Sequence, residues 1–149
     1  PAHASAVTRL GRTLLFAGRS GAGKSTASAL AVEAGWHKLQ DDLCFLEGGR
    51  LQEAVDWSAP STRRPVGGVD LTGLVILVQA REDKLALLTH REAVSRMGPL
   101  WGPPAPLPVA EWLMRMEREL ALLPVYELRF RKHVSFARAL EAIPRLNRK

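Results

Sequence analysis

The stretch GRSGAGKST, Gly18 to Thr26, sets three glycines, a lysine and three hydroxyls between an apolar run, TLLFA, and an Ala/Leu-rich run, STASALAVEA. Gly18, Gly23, Lys24 and Ser25 satisfy the pattern G-x-x-x-x-G-K-[ST], and the flanking runs read as the strand and helix that this pattern requires. At average residue usage the four fixed positions would match by chance with a probability on the order of 0.5% in a chain of 149 residues. Glycines 18, 21 and 23 permit backbone conformations closed to other residues, and let N–H groups meet an anion with no side chain between. The helix opening at Ser25 adds unpaired N–H groups and the positive end of its dipole. A strand, a loop and a helix in this order predict an α/β fold whose loop holds phosphate.

The expected nucleotide contacts are therefore Gly18, Arg19, Ser20, Gly21, Ala22, Gly23, Lys24, Ser25 and Thr26, with the Arg19 and Ser20 side chains replaceable within the pattern. Lys24 is expected to reach the β- and γ-phosphates of ATP as a point charge, and the Ser25 hydroxyl to bind Mg²⁺.

Around the loop, HASAVTRLGRTLLFAG reads as two strands about a turn at Leu10-Gly11-Arg12. Antiparallel pairing centred on Gly11 would set His3 opposite Arg19, at the mouth of the glycine loop. The loop helix is predicted over Ser25 to Ala34 and ended by Gly35, with WHKLQ a short strand after it. LCFLEGGRLQEA reads as a hairpin turning at Gly48-Gly49, and DWSAPSTRRPVGG as a loop. LTGLVILVQA and KLALLT are predicted strands, the first apolar enough to be central. MGPLWGPPAPLP is expected to be irregular, because prolines 103, 104, 106 and 108 remove donors. In VAEWLMRMERELALL, Val109, Trp112, Leu113, Met116 and Leu120 share one helical face as core, and Glu111 and Arg115 pair across the other. VYELRF reads as a closing strand and SFARALEAI as a last helix.

A nucleotide site also needs a carboxylate for the metal or for the attacking group. LQDDLCFL supplies Asp41 and Asp42 at the end of the strand after the loop helix, an end that a parallel α/β unit would bring to the loop's sheet edge. One of the two would face the metal through water and the other would accept a proton from an attacking hydroxyl; a polar turn between strands is the plainer alternative. Glu82 and Asp83, beyond LVILVQAR, form a weaker rival pair that a surface turn explains. His37, His90 and His133 read as surface residues, and Arg63 and Arg64 as a solvated loop. His3 differs, because its place near the loop would let it donate to a phosphate or orient an aspartate.

The length suits one domain over residues 1–149. It begins at Pro1 with no initiator Met and enters strand-like sequence at once, which leads to the expectation that it is either a trimmed sequence or the core of a longer protein. With one cysteine, Cys44, it can form no internal disulfide, and no apolar stretch approaches the roughly 20 residues that cross a bilayer. A reducing, cytoplasmic setting without a membrane partner is the expectation. The net charge of +6 is spread along the chain and concentrates only in RFRKH and RLNRK, so a nucleic-acid partner would rest on charge alone and is set aside. Homo-oligomerisation is left open.

These features together resemble the catalytic domain of HPr kinase/phosphorylase and its shorter relatives, which share a phosphate-binding fold with phosphoenolpyruvate carboxykinase. The resemblance lies in His3 ahead of the hairpin, GRSGAGKST, the helix ending at GW, and LQDD; His3, Lys24 and Asp42 stand 21 and 18 residues apart, as in that family. It covers about residues 3 to 47, with a looser echo in LPVYELRF. The resemblance implies an α/β, P-loop-containing mixed sheet with an antiparallel N-terminal hairpin and flanking helices. It also implies Asp42 as the general base on the acceptor hydroxyl, Lys24 as phosphate clamp, Ser25 as metal ligand and His3 as their catalytic partner. The family's Glu-Ile-Arg-Gly-Leu-Gly signature is missing, and with it a glutamate ligand and the loop tied to the protein substrate; Thr26 stands where many members have Glu. The expected activity is an ATP-dependent serine-type kinase whose acceptor is a hydroxyl on a peptide, protein or small molecule. The alternative from another class is a non-catalytic ATP-binding sensor. No LSGGQ-like signature points to a transport ATPase.

Overall fold

A computed structural model describes residues 2–41, 43–52, 68–103 and 107–145. Over these residues the protein is mixed α/β. The first hairpin joins β1 (Ala2–Arg9) to β2 (Arg12–Ala17), and the glycine loop leads from β2 into α1 (Lys24–Glu33). There follow β3 (His37–Gln40), β4 (Leu43–Glu47), β5 (Arg50–Gln52), β6 (Val69–Asp70), β7 (Gly73–Gln79) and β8 (Lys84–Leu87). Next come α2 (His90–Met97), a 3₁₀ turn (Gly98–Leu100), α3 (Val109–Ala121), β9 (Val125–Phe130) and α4 (Phe136–Glu141). The sheet order is β6-β5-β4-β1-β2-β7-β9-β8, with β3 also paired to β1.

Strands β2, β7 and β9 are neighbours and parallel, while β1 and β8 flank them antiparallel. Side chains of a strand alternate between faces, so a sheet covered on both sides needs apolar residues at every position. Strand β2 meets this with Leu14 and Phe16 toward α1 and α4, and Leu15 and Ala17 toward α2 and α3; Val75 with Leu77 and Leu74 with Ile76 repeat the division on β7. On β1, Ala2, Ala4 and Ala6 join the α2/α3 cluster, and Val7 the α1/α4 cluster. His3 and Ser5, in step with Val7, therefore take the α1 face, where the Ser5 hydroxyl meets that of Ser28 on α1 in a buried hydrogen bond.

The hairpin register departs by one residue from the sequence expectation. The loop is Leu10-Gly11 alone, with φ of 49° and 75°, and Arg9 pairs with Arg12. Two left-handed residues form the two-residue type I′ loop whose twist suits the strands, whereas a turn centred on Gly11 would be a three-residue loop, with one left-handed residue after a type I turn. Ala4 thus pairs with Ala17, and His3 is not opposite Arg19. Strand β3 also departs from a simple parallel unit: it pairs with β1 antiparallel and runs in the direction of β2 with β1 between them.

Helix α2 was not expected from the sequence. Thr89 and Glu92 form a reciprocal capping box at its start, the Thr89 N donating to Glu92 Oε2 at 2.8 Å and the Glu92 N to Thr89 Oγ1 at 3.3 Å. Its Arg96 reaches buried Glu127 on β9 at 3.2 Å, fixing the helix over the sheet. In α3 the expected apolar stripe is only partly core: Met116 and Leu120 are buried, but Val109 and Leu113 are exposed. Glu111 and Arg115 pair as expected, at 2.7 Å. The same helix sends Glu119 to the β4–β5 turn, where its two carboxylate oxygens accept from Gly48 N and Gly49 N at 2.9 Å each. No helix among the described residues is long and apolar enough to cross a membrane.

Leu10 is the sole non-glycine residue with positive φ among the described residues. Replacing it with Asn, which tolerates this conformation and completes the favoured Asn-Gly pair, should raise stability by about 1 kcal/mol in urea unfolding; Leu10→Val should lower it.

Candidate functional site

The glycine loop is built against packed aromatic side chains at the shared C-terminal edge of β2, β7 and β9. Phe16 and Phe130, at the ends of β2 and β9, both stack on Phe136 of α4, with ring centroids 6.3 and 5.6 Å apart, and all three rings are buried. Gly23 presses on this cluster: a Cβ there would come within 3.1 Å of Phe130 Cζ, and its φ is 95°. Gly18 is equally confined, since a Cβ would meet Ala22 Cβ at 2.8 Å. The glycines are thus demanded by close approach as well as by backbone conformation.

The loop carbonyls are engaged by the protein. Lys24 Nζ donates to Gly18 O at 2.7 Å and Arg19 O at 3.1 Å, Ala22 N to Arg19 O at 2.9 Å, and Gln79 Nε2 to Gly21 O at 2.7 Å. Gly23 caps α1 without any side-chain hydrogen bond, and no acidic residue occupies the first turn. An uncapped helix start with a glycine loop ahead of it leaves backbone N–H groups of the first turn without an intrahelical partner, an arrangement that suits an anion.

A cavity of about 700 Å³ opens on this loop. Gly18, Gly21, Gly23, Lys24, Ser25 and Thr26 line its base together with Arg19 and Ser20, as the sequence pattern requires. Ala22 is not on the lining, its Cβ being turned toward Gly18. His3 enters from β1 on one flank, and Lys132, just past β9, from the other. Pro99 and Leu100 of the 3₁₀ turn close a further wall; the next residue, Trp101, forms a bridge with Ala2 beside His3.

Of the two expected carboxylates, Asp42 lies outside the described residues, as do Arg63 and Arg64. Asp41 is held by Lys38 in an ion pair, both side chains being partly exposed, and does not line the cavity. The backbone on either side is placed: Gln40 pairs with Ala6, and Leu43 with His3. Burial pushes the Cys44 thiol up to about 12, with the nearby Asp41 charge adding to the shift. Among the described residues no group of three or more His, Cys, Asp or Glu could hold a metal ion.

Asp83 of the rival acidic pair has a structural task. Its oxygens accept from Arg131 N at 3.0 Å and Ser135 Oγ at 2.8 Å, anchoring the turn that leaves β9. His133 lies in this turn and accepts from Ser135 N through Nδ1, apart from the cavity. Besides Pro99 and Leu100, two polar cavity residues were missed from sequence, Gln79 and Lys132. Each is polar at or just beyond the end of a strand parallel to β2, but that meaning appears only once the strand order is known.

Comparison with protein-family models, curated proteins and solved structures finds no match to this chain.

Two outcomes follow from this geometry. Gly21→Ala, where φ is 79° and the space is open, should cost about 1 kcal/mol of backbone strain in urea unfolding, and Gly23→Ala should cost more, because the new methyl also meets Phe130. Between pH 9.0 and about 12 the unfolded thiol has lost its proton while the folded Cys44 keeps it, so stability should fall as pH rises; Cys44→Ala should flatten that part of the profile.

Proposed function

We propose that the chain is an ATP-dependent phosphotransferase of serine-kinase type, built on the P-loop fold of HPr kinase and phosphoenolpyruvate carboxykinase. It would move the γ-phosphoryl group to a hydroxyl of a peptide, protein or small metabolite. The observation that carries this reading is the sharing of one cavity by His3, Lys24 and Ser25, with the residue after Asp42 paired to His3 on β1.

In the transfer the acceptor oxygen bonds to the γ-phosphorus as the bond to the β–γ bridging oxygen breaks. The electron pair of that bond stays on the β-phosphate of the departing ADP, and the hydroxyl proton passes to Asp42. The loop N–H groups and Lys24 hold the phosphate chain, and His3 flanks it from β1. Mg²⁺ would supply charge neutralisation, with the Ser25 hydroxyl as its protein ligand; Asp41 would serve it through water only on leaving its ion pair with Lys38 outside the cavity. Such a reaction asks the protein mainly for positioning and fixed charge.

A second reading, a non-catalytic ATP-binding sensor, is favoured by one observation: among the described residues no carboxylate lines the cavity. The two separate on incubation of the wild-type chain with labelled ATP, Mg²⁺ and cell extract, with mass spectrometry of any labelled product. An enzyme labels an acceptor, and a sensor binds ATP and labels none. Asp42→Asn should keep nucleotide affinity within a few fold and abolish transfer, while Lys24→Ala should lose nucleotide binding itself. Unchanged turnover in Asp42→Asn removes the proposed base.

A further inference from the structure

The cavity has two flanks, and their chemistry differs. On the β1 side stand His3 and, one strand further out, the Asp41 and Leu43 that bracket Asp42 in sequence. On the opposite side, past β7 and β9, stands Lys132. No ion pair engages Lys132 among the described residues, so none of their carboxylates holds its ammonium group. The chain that bears it is nevertheless fixed: Phe130 before it is buried under Gly23, Arg131 N and Ser135 Oγ are tied to Asp83, His133 N donates to Arg131 O at 2.7 Å, and Phe136 after it is buried between Phe16 and Phe130. A lysine displayed by so anchored a turn, facing an anion-binding loop, has a place to hold.

Resting on the nucleotide reading above, we infer that Lys132 is a nucleotide-binding cation that grips the non-transferred α- and β-phosphates, so that the phosphate chain lies along the sheet edge with its terminal group toward His3 and its nucleoside end toward β9. The orientation follows from the proposed base. If the proton acceptor is on the β1 side, the reacting phosphorus belongs there, and a cation on the far flank meets the phosphates that ADP and ATP have in common. Lys24 and Lys132 then neutralise the chain from two directions, one from the helix that follows the loop and one from the strand end beyond it. Lys132 is a retention residue in this arrangement, absent from the bond-making step.

The test measures the affinities of Mg·ATP and Mg·ADP for the wild type, Lys132→Ala, Lys132→Arg and Arg131→Ala by isothermal titration calorimetry. Arg131 adjoins Lys132 but does not line the cavity, so its variant removes the same charge without the contact. Lys132→Ala should weaken both nucleotides by a similar factor, about tenfold, as expected for one charge-assisted contact. Lys132→Arg should recover most of the loss, and Arg131→Ala should stay within about twofold of the wild type. Loss of ATP affinity alone would overturn the orientation, since the terminal phosphate would then lie at Lys132. Unchanged binding in Lys132→Ala, or an equal loss in Arg131→Ala, would overturn the contact while leaving the nucleotide reading intact. A wild-type chain that binds neither nucleotide would sink both.

Discussion

Everything in the candidate site hangs on a shared direction. Because β2, β7 and β9 run parallel, their C-terminal ends emerge at one sheet edge, and the residues just beyond them meet although they are far apart in sequence. The glycine loop follows β2, Gln79 ends β7 and Lys132 follows β9. Strand β1 runs the other way, so it is its beginning, with His3, that reaches the same edge. Parallel pairing requires burial of both faces, and the alternating clusters against α1/α4 and α2/α3 supply it. The cavity is therefore a by-product of how the core is covered.

The loop itself shows how a local sequence can carry tertiary information. Gly23 is left-handed and lies against Phe130, a residue more than a hundred positions away whose ring is in turn stacked on Phe136 of α4. Loop conformation, strand end and helix start are thus one packed unit. Asp83 extends it: a carboxylate in the turn between β7 and β8 serves as the tie for the turn after β9. A charged side chain at this sheet edge is easily taken for chemistry, but here each carboxylate oxygen accepts a hydrogen bond that holds the turn.

What could be read beforehand depended on how local the cause was. The glycine loop, the left-handed Gly35 after α1 and the Gly48-Gly49 turn were legible because each is set by backbone conformation over a few residues. The first hairpin was found but displaced by one residue, since a leucine in the left-handed region gives no signal of its own. Helix α2 was not expected although Thr89 and Glu92 spell a capping box, since it is only eight residues long and runs directly into the proline-rich stretch after Met97. The α3 stripe was right at Met116 and Leu120 and too generous at Val109 and Leu113, which stay exposed. Gln79 and Lys132 were out of reach altogether: nothing in either neighbourhood says which strand will lie beside β2.

The bridge between Ala2 and Trp101 ties the rim of the cavity to the first strand. The first residues of β1 are sandwiched between β4 and the segment that carries Pro99 and Leu100, so the His3 flank and the Pro99–Leu100 wall are braced against each other across one strand. A change that loosens this bridge would slacken both walls of the mouth together.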